Sequence, residues 1–196
     1  MVVPSHHSLP ADKVALRRIA RQRRRALVAS LTDEEKAKQE SNLARALEPH
    51  LGRSRVTGGY SPLPSEISPI PALEVAASQG ATIAYPAFSD RQSQFRFLAG
   101  EPAAPGPWAC FQPSLESPEV FPDLVLVPLV GIDRHGTRLG QGKGHYDRVL
   151  ATLRERGALL IGVGWPVQML DAVIPADPWD VPLDGFASPE GLEMFR

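Results

Sequence analysis

The residue types best suited to chemistry are crowded into one segment, Arg138-Leu139-Gly140-Gln141-Gly142-Lys143-Gly144-His145-Tyr146-Asp147-Arg148. Three glycines alternate there with Gln141 and Lys143, a spacing that costs chain entropy and suits a backbone that must come close to a partner. Amide groups of such a loop, and of a helix start behind it, point at one spot with partial positive charge, so the natural partner is an anion. Arg138 and Lys143 add full charges and favour phosphate, whereas the glycines alone would also fit a flexible turn. The loop matches neither of the two commonest phosphate loops. A P-loop requires Ser or Thr after its lysine, where Gly144 stands, and the dinucleotide fingerprint requires a wider last gap and a tight link to its strand. Asp147, one turn into the helix, could hold a magnesium ion against the phosphates.

These residues need a strand before them and a helix after them, and the flanking sequence supplies both. The apolar run 124–130 is branched and too short for a core helix, so it reads as a buried strand. Tyr146, Val149, Leu150 and Leu153 recur at three and four residues, the spacing of one helix face, and Gly157 can close that helix in a left-handed conformation. Residues 158–164 read as a second buried strand, and the order strand, helix, strand fits a parallel crossover.

The remaining elements follow from similar signals. Residues 11–29 predict a helix with a thin apolar stripe of Leu16, Ala20 and Leu27, the rest covered by Lys13, Arg17, Arg18, Arg21, Arg23, Arg24 and Arg25. Such clustered cations suit nucleic acid, but Asp33, Glu34 and Glu35 follow at once and no aromatics interleave for base stacking; a solvated face is the ordinary alternative. Thr32 with Glu35 predicts a capping box, and Leu43, Leu47 and Leu51 the buried edge of a second helix. Residues 55–60 read as a strand, 61–67 as a rigid loop, and a helix begins near Pro69 and ends at Gly80, the makings of a βαβ unit. Short strands are predicted at 82–85, at 95–98 as an edge or hairpin arm, and at 185–187. The Pro-rich segment 100–119 lacks periodicity and reads as a long irregular loop.

A chain of 196 residues, 43% hydrophobic, suffices for one well-filled core and is short for two full domains, so one domain is expected, with residues 1–10 a flexible tail. The net charge of −1 supplies no overall drive toward nucleic acid or membrane. Cys110 stands alone, which excludes an internal disulfide and removes the cysteine clusters of a structural zinc site. The first residues lack the apolar core of a secretory signal, and no apolar run approaches the roughly 18 residues that would span a bilayer. A cytoplasmic protein without membrane partners is expected.

The run from Arg138 to Arg148, preceded by Val127-Pro128 and Gly131-Ile132-Asp133, resembles the signature of the 5-formyltetrahydrofolate cyclo-ligase (methenyltetrahydrofolate synthetase) family. The resemblance implies a three-layer α/β fold with a mainly parallel sheet and ligands at the carboxyl ends of the strands. It also implies an ATP-dependent C–N bond-forming ligase that turns 5-formyltetrahydrofolate into 5,10-methenyltetrahydrofolate with Mg2+ and ATP. In such a family the γ-phosphoryl group activates the formyl oxygen, nitrogen 10 attacks, and phosphate departs. By the same resemblance Lys13 and Arg17, one turn apart, reach the nucleotide phosphates together with Arg138 to Tyr146, and Lys143 and Arg138 carry the catalytic charge. Glu66, Ser61, Trp108 and Tyr146 meet the folate, and Asp180 joins Asp147 as a metal contact, while Asp184 ends a turn. Taken without the resemblance, Glu66 is an acid near a helix start, Trp108 equally well covers the core edge, Asp180 is an ordinary turn acid, and His145, where many members carry Tyr, packs on the loop. The expected partners are the reduced folate and ATP, with a monomer and no nucleic acid. Rival readings are a sugar-phosphate isomerase or CoA-transferase-like enzyme, or a regulator binding nucleic acid through the basic first helix.

Overall fold

The computed structural model describes residues 12–107, 110–142 and 144–195. Lys143, Trp108 and the expected tail over 1–10 lie outside those residues. Helix α1 spans Lys13–Ser30, with the Asp12 carboxylate accepting from the N–H groups of Val14 and Ala15. Helix α2 spans Asp33–Leu51 and opens on the predicted Thr32–Glu35 capping box. Strand β1 (Val56–Gly58), helix α3 (Ile70–Ser78) and strand β2 (Thr82–Ala87) form the expected βαβ unit, since β1 and β2 pair in parallel. Strand β3 (Arg96–Ala99) returns antiparallel against β2 as an edge.

The segment read as an irregular loop contains a small hairpin, β4 (Ala104–Pro105) and β5 (Phe111–Gln112). Each strand has two residues, too few for alternation to register. Strand β6 is Leu124–Pro128; the apolar run continues past it, but the parallel ladder ends at Pro128. The chain then makes a second hairpin, β7 (Gly131–Ile132) with β8 (Arg138–Leu139), before helix α4 (His145–Glu155) and strand β9 (Leu159–Val163). Gly157 adopts φ 82°, and the Ala158 N–H donates to the Leu153 carbonyl, closing α4 as predicted. Strand β10 (Gly185–Ser188) is followed by an antiparallel edge strand, β11 (Gly191–Met194), which sequence reasoning missed.

Seven strands lie in the order β11-β10-β9-β6-β1-β2-β3. The inner neighbours β10, β9, β6, β1 and β2 are parallel throughout. Alternation along β6 explains why its run is apolar without interruption. Leu124 and Leu126 join Leu43, Leu47 and Leu73 from α2 and α3 on one face. Val125 and Val127 join Val149, Leu150 and Leu153 from α4 on the other. A strand buried on both sides has no solvent face to mark with polar residues. The predicted three-layer α/β architecture is therefore present.

Helix α1 stands outside those layers. Its Leu16 and Ala20 pack on Val130, Leu139, Leu170 and Ile174, beside the β7–β8 hairpin. From β1 the chain leaves through α3 to β2 on one side, whereas β6 lies on the other side of β1. The strand order thus reverses between β1 and β6, the place where open α/β sheets hold their ligands.

Candidate active site

A cavity of about 610 Å³ opens at this reversal. Its walls come from the segment after β1 (Leu63, Glu66), the end of β6 (Pro128, Leu129, Val130), the glycine loop, the start of α4, the first turns of α1 and the segment 177–180. Of the residues singled out from sequence, Lys13, Arg17, Glu66, Arg138, Gly140, Gln141, Gly142, Gly144, His145, Tyr146, Asp147 and Asp180 line it.

The glycine loop owes its shape to two backbone positions. Gly142 and Gly144 adopt φ 96° and 65°, values that other L-residues take only at a cost. Gly144 is also the N-cap of α4 and brings no side chain to cap it, and the first N–H groups of a helix lack acceptors within it. Helix α1 braces the loop from outside. Arg17 Nε donates to the Gly140 carbonyl at 3.0 Å, and Arg21 Nη2 donates to Gln141 Oε1 at 2.8 Å. Gln141 Nε2 in turn reaches Glu66 Oε1 at 3.4 Å, so the loop touches the carboxylate predicted to meet the folate.

Two cations, each held by carboxylate, flank the loop. Arg138 Nη2 donates to Asp147 Oδ1 at 2.7 Å, and its guanidinium lies 5.5 Å from the centre of the Tyr146 ring. Lys13 Nζ bridges Asp177 Oδ2 at 2.5 Å and Asp180 Oδ2 at 2.7 Å. Burial works against the Lys13 ammonium, but these two carboxylates outweigh it and raise its pKa. The Asp177–Asp180 turn is fixed by its own bonds, Asp180 N–H to the Asp177 carbonyl and Asp177 N–H to Asp180 Oδ2. It presents Trp179, 70% exposed, at the cavity mouth. Asp177 and Trp179 were not foreseen; a Trp between two acids in a Pro-rich turn was the available signal.

Deeper in, Glu66 is 8% exposed. Burial raises its pKa, opposed by the Leu63 N–H and by Arg24, whose Nη1 lies 3.6 Å from Glu66 Oε1. Tyr146 is buried against Phe95, with ring centres 4.9 Å apart, and burial raises its phenol well above the ordinary range. His145 meets Phe88 edge to face at 5.4 Å, in line with a His packed at the helix start. Phe88 is held by Gln112, whose amide exchanges hydrogen bonds with the Phe88 N–H and carbonyl.

Three expectations need correction. The Leu139 side chain is fully buried under α1 and its carbonyl accepts from the Val130 N–H, so it does not face the cavity. An apolar residue inside a polar motif was needed by the core. Ser61 Oγ donates to the Phe111 carbonyl at 2.8 Å and tethers the β4–β5 hairpin; it is not among the described residues lining the cavity. Arg24, grouped with the exposed basic face, is 4% exposed. Among the described residues, no cluster of three or more His, Cys, Asp or Glu could hold a metal ion. Any cation here would need phosphate oxygens and water to complete its shell.

A mainly parallel α/β sheet, with a glycine-rich loop at its point of reversal, defines the class of open α/β domains that hold their ligands at the carboxyl ends of the strands. The chain belongs to the 5-formyltetrahydrofolate cyclo-ligase family, whose sequence pattern matches residues 10–189. A cyclo-ligase of that name from Haemophilus influenzae is 33% identical over 92 residues, 45% of this chain and 49% of that protein, so the match spans about half the relative's length. One from Mycolicibacterium smegmatis is 29% identical over 95% of this chain and 99% of its own. The solved structure of Aquifex aeolicus 5,10-methenyltetrahydrofolate synthetase superposes with a TM-score of 0.76 at 26% identity, covering 94% of this chain and 93% of that one. Among the described residues, no helix is long and apolar enough to cross a membrane.

Proposed function

We propose that this chain cyclises 5-formyltetrahydrofolate to 5,10-methenyltetrahydrofolate, consuming ATP and releasing ADP and phosphate. The observation that carries this reading is one cavity in which a cationic glycine loop and a buried carboxylate meet through Gln141. A phosphate donor on the loop and a folate against Glu66 would then be neighbours, as transfer of a phosphoryl group between them requires.

The formyl oxygen is a poor leaving group as hydroxide. Transfer of the γ-phosphoryl group to it breaks the terminal P–O–P bond, forms a new P–O bond and releases ADP. Nitrogen 10 then attacks the activated formyl carbon and gives up its proton to solvent or to the departing phosphate, which leaves with the oxygen. The protein supplies no nucleophile. Its task is alignment and neutralisation of charge that spreads over the transferred group. Arg138, Lys143, Lys13, Arg17 and the amides of the glycine loop and of the α4 start are suited to that role. Lys13 and Arg138 would exchange part of their present carboxylate contacts for phosphate oxygens.

Asp147 and Asp180 would hold the magnesium ion that accompanies ATP. Two carboxylates that now face cations fit a metal that keeps most of its shell as water and phosphate oxygen. When bound, the ion neutralises charge on the phosphate chain. The folate end falls to Glu66, whose carboxylate can accept from the paired donors of an aminopyrimidinone ring, with Tyr146 and Trp108 as neighbours in the reading. Helix α1 directs Arg17, Arg21 and Arg24 at the cavity's own groups, which favours a nucleotide over nucleic acid as its anionic partner.

The test is direct: purified protein given 5-formyltetrahydrofolate and Mg-ATP should develop the absorbance of the methenyl product and release ADP in equal amount. No product at saturating substrate sinks the reading.

A further inference from the structure

Arg24 is the centre residue of a run of three arginines, yet its side chain is 5% exposed and points inward from α1. Its Nη1 lies 3.4 Å from the Leu129 carbonyl and 3.6 Å from Glu66 Oε1, and its buried Nε has no hydrogen-bond partner. Burying a guanidinium with so few partners is costly, and an apolar side chain of similar size would stabilise the fold at least as well. Packing therefore does not explain it. Glu66, the nearest opposite charge, is itself buried and lines the cavity.

We propose that Arg24 is a positioning residue that keeps Glu66 ionised and aimed into the cavity, so that both carboxylate oxygens remain acceptors for a ligand with paired N–H donors. The inference rests on the proposed folate role of Glu66. Protonation would convert one oxygen into a donor and break the match to such a ring. Among the described residues, the other ionisable groups around Glu66 are Tyr60, Tyr146 and Cys110, with Arg21 reaching it only through Gln141. The first three are neutral when protonated, so Arg24 is the only full positive charge in direct contact with Glu66 among the described residues. Burial raises the Glu66 pKa even with Arg24 in place. Loss of the guanidinium would raise it further, so binding that needs the carboxylate would fail at a higher pH as pH falls.

The experiment measures dissociation constants for 5-formyltetrahydrofolate by calorimetry across pH for wild type, Arg24→Met, Arg24→Lys and Glu66→Gln, with thermal melting as the control for folding. Arg24→Met should weaken folate binding roughly tenfold. It should also move the acid limb upward by about one pH unit or more. Arg24→Lys should restore the limb toward wild type, and Glu66→Gln should bind weakly with no limb. An unshifted limb in Arg24→Met, a uniform loss at all pH values, or no recovery in Arg24→Lys overturns the inference. If wild type does not bind folate, or Glu66→Gln binds it as wild type does, the folate reading of Glu66 fails instead.

Discussion

Asp123 and Asp133 differ from Asp147 and Asp180 in what they face. Asp123 accepts from the N–H groups of Arg55 and Val56 and from Ser54 Oγ, tying the start of β6 to that of β1, and among the described residues meets only a solvent-exposed guanidinium, Arg55 Nε at 3.5 Å. Asp133, 1% exposed, accepts from the N–H groups of His135, Thr137 and Ile174 and so fixes the turn that carries β8. Around the cavity the pattern changes: Asp147 meets the Arg138 guanidinium and Asp180 the Lys13 ammonium. A backbone N–H has nowhere else to go in the folded chain, whereas a side-chain cation can turn to an incoming phosphate. In sequence all four are acids in loops, at a strand end or in a first helical turn. Among the described residues, what separates the two sets is a shielded side-chain cation, which Asp147 and Asp180 meet and Asp123 and Asp133 do not, rather than the residue type.

That contrast can be broken by experiment, starting where the expected effect is largest. Arg138→Ala should lower kcat by about 100-fold or more, a loss larger than any fall in melting temperature accounts for, since the chain should still be folded at the assay temperature. Turnover close to wild type in the methenyl absorbance assay would place Arg138 with the scaffold. Asp147→Asn should raise the magnesium concentration needed for half-maximal rate, read from a metal titration at fixed ATP; an unmoved curve removes Asp147 from the machinery. Asp133→Ala leaves buried donors unmet and should reduce the unfolding free energy by about 1–3 kcal/mol in a denaturant titration.

The smallest effect concerns Asp123. Burial pushes its carboxyl up, but Ser54 and the Arg55 and Val56 N–H groups outweigh that and hold it below the ordinary carboxylate range. A lowered native pKa stabilises the fold above the unfolded value, near ~3.9, and that contribution is lost as pH falls through the native one. Asp123→Asn should therefore flatten the acid side of the stability–pH curve while kcat stays at its wild-type value. A drop in kcat would blur the division between the two sets.

Much of the scaffold was legible because its signals are local and repeated. The β6, α4, β9 crossover shows in apolar runs and helical spacing, and the α2 start in Thr32 and Glu35. The β7–β8 hairpin was not legible, since two-residue strands hold no period and Asp133 organises them through backbone N–H groups, two nearby and one 41 positions away, that leave no mark in the side-chain pattern. Arg24 was legible in principle. It occupies the gap in the stripe Leu16, Ala20, Leu27 at four and three residues, so helical geometry alone turns it inward. Its charge, flanked by Arg23 and Arg25, hid the position. Ser61 was placed at the folate by the family resemblance, but the rotation of the segment after β1 aims Glu66 inward and Ser61 at Phe111. Such rotations depend on tertiary contacts that no short window contains.

Helix α1 reaches far along the chain: Arg17 meets Gly140 across 123 positions, and Lys13 meets Asp177 across 164. During synthesis helix α1 precedes the groups it packs on, and its apolar stripe is covered only after Val130, Leu139, Leu170 and Ile174 have emerged. Contacts of such long range form late and loosen early. The cavity should thus close late in the folding of the chain, and under gentle heating the sheet at its floor should outlast the wall made by helix α1.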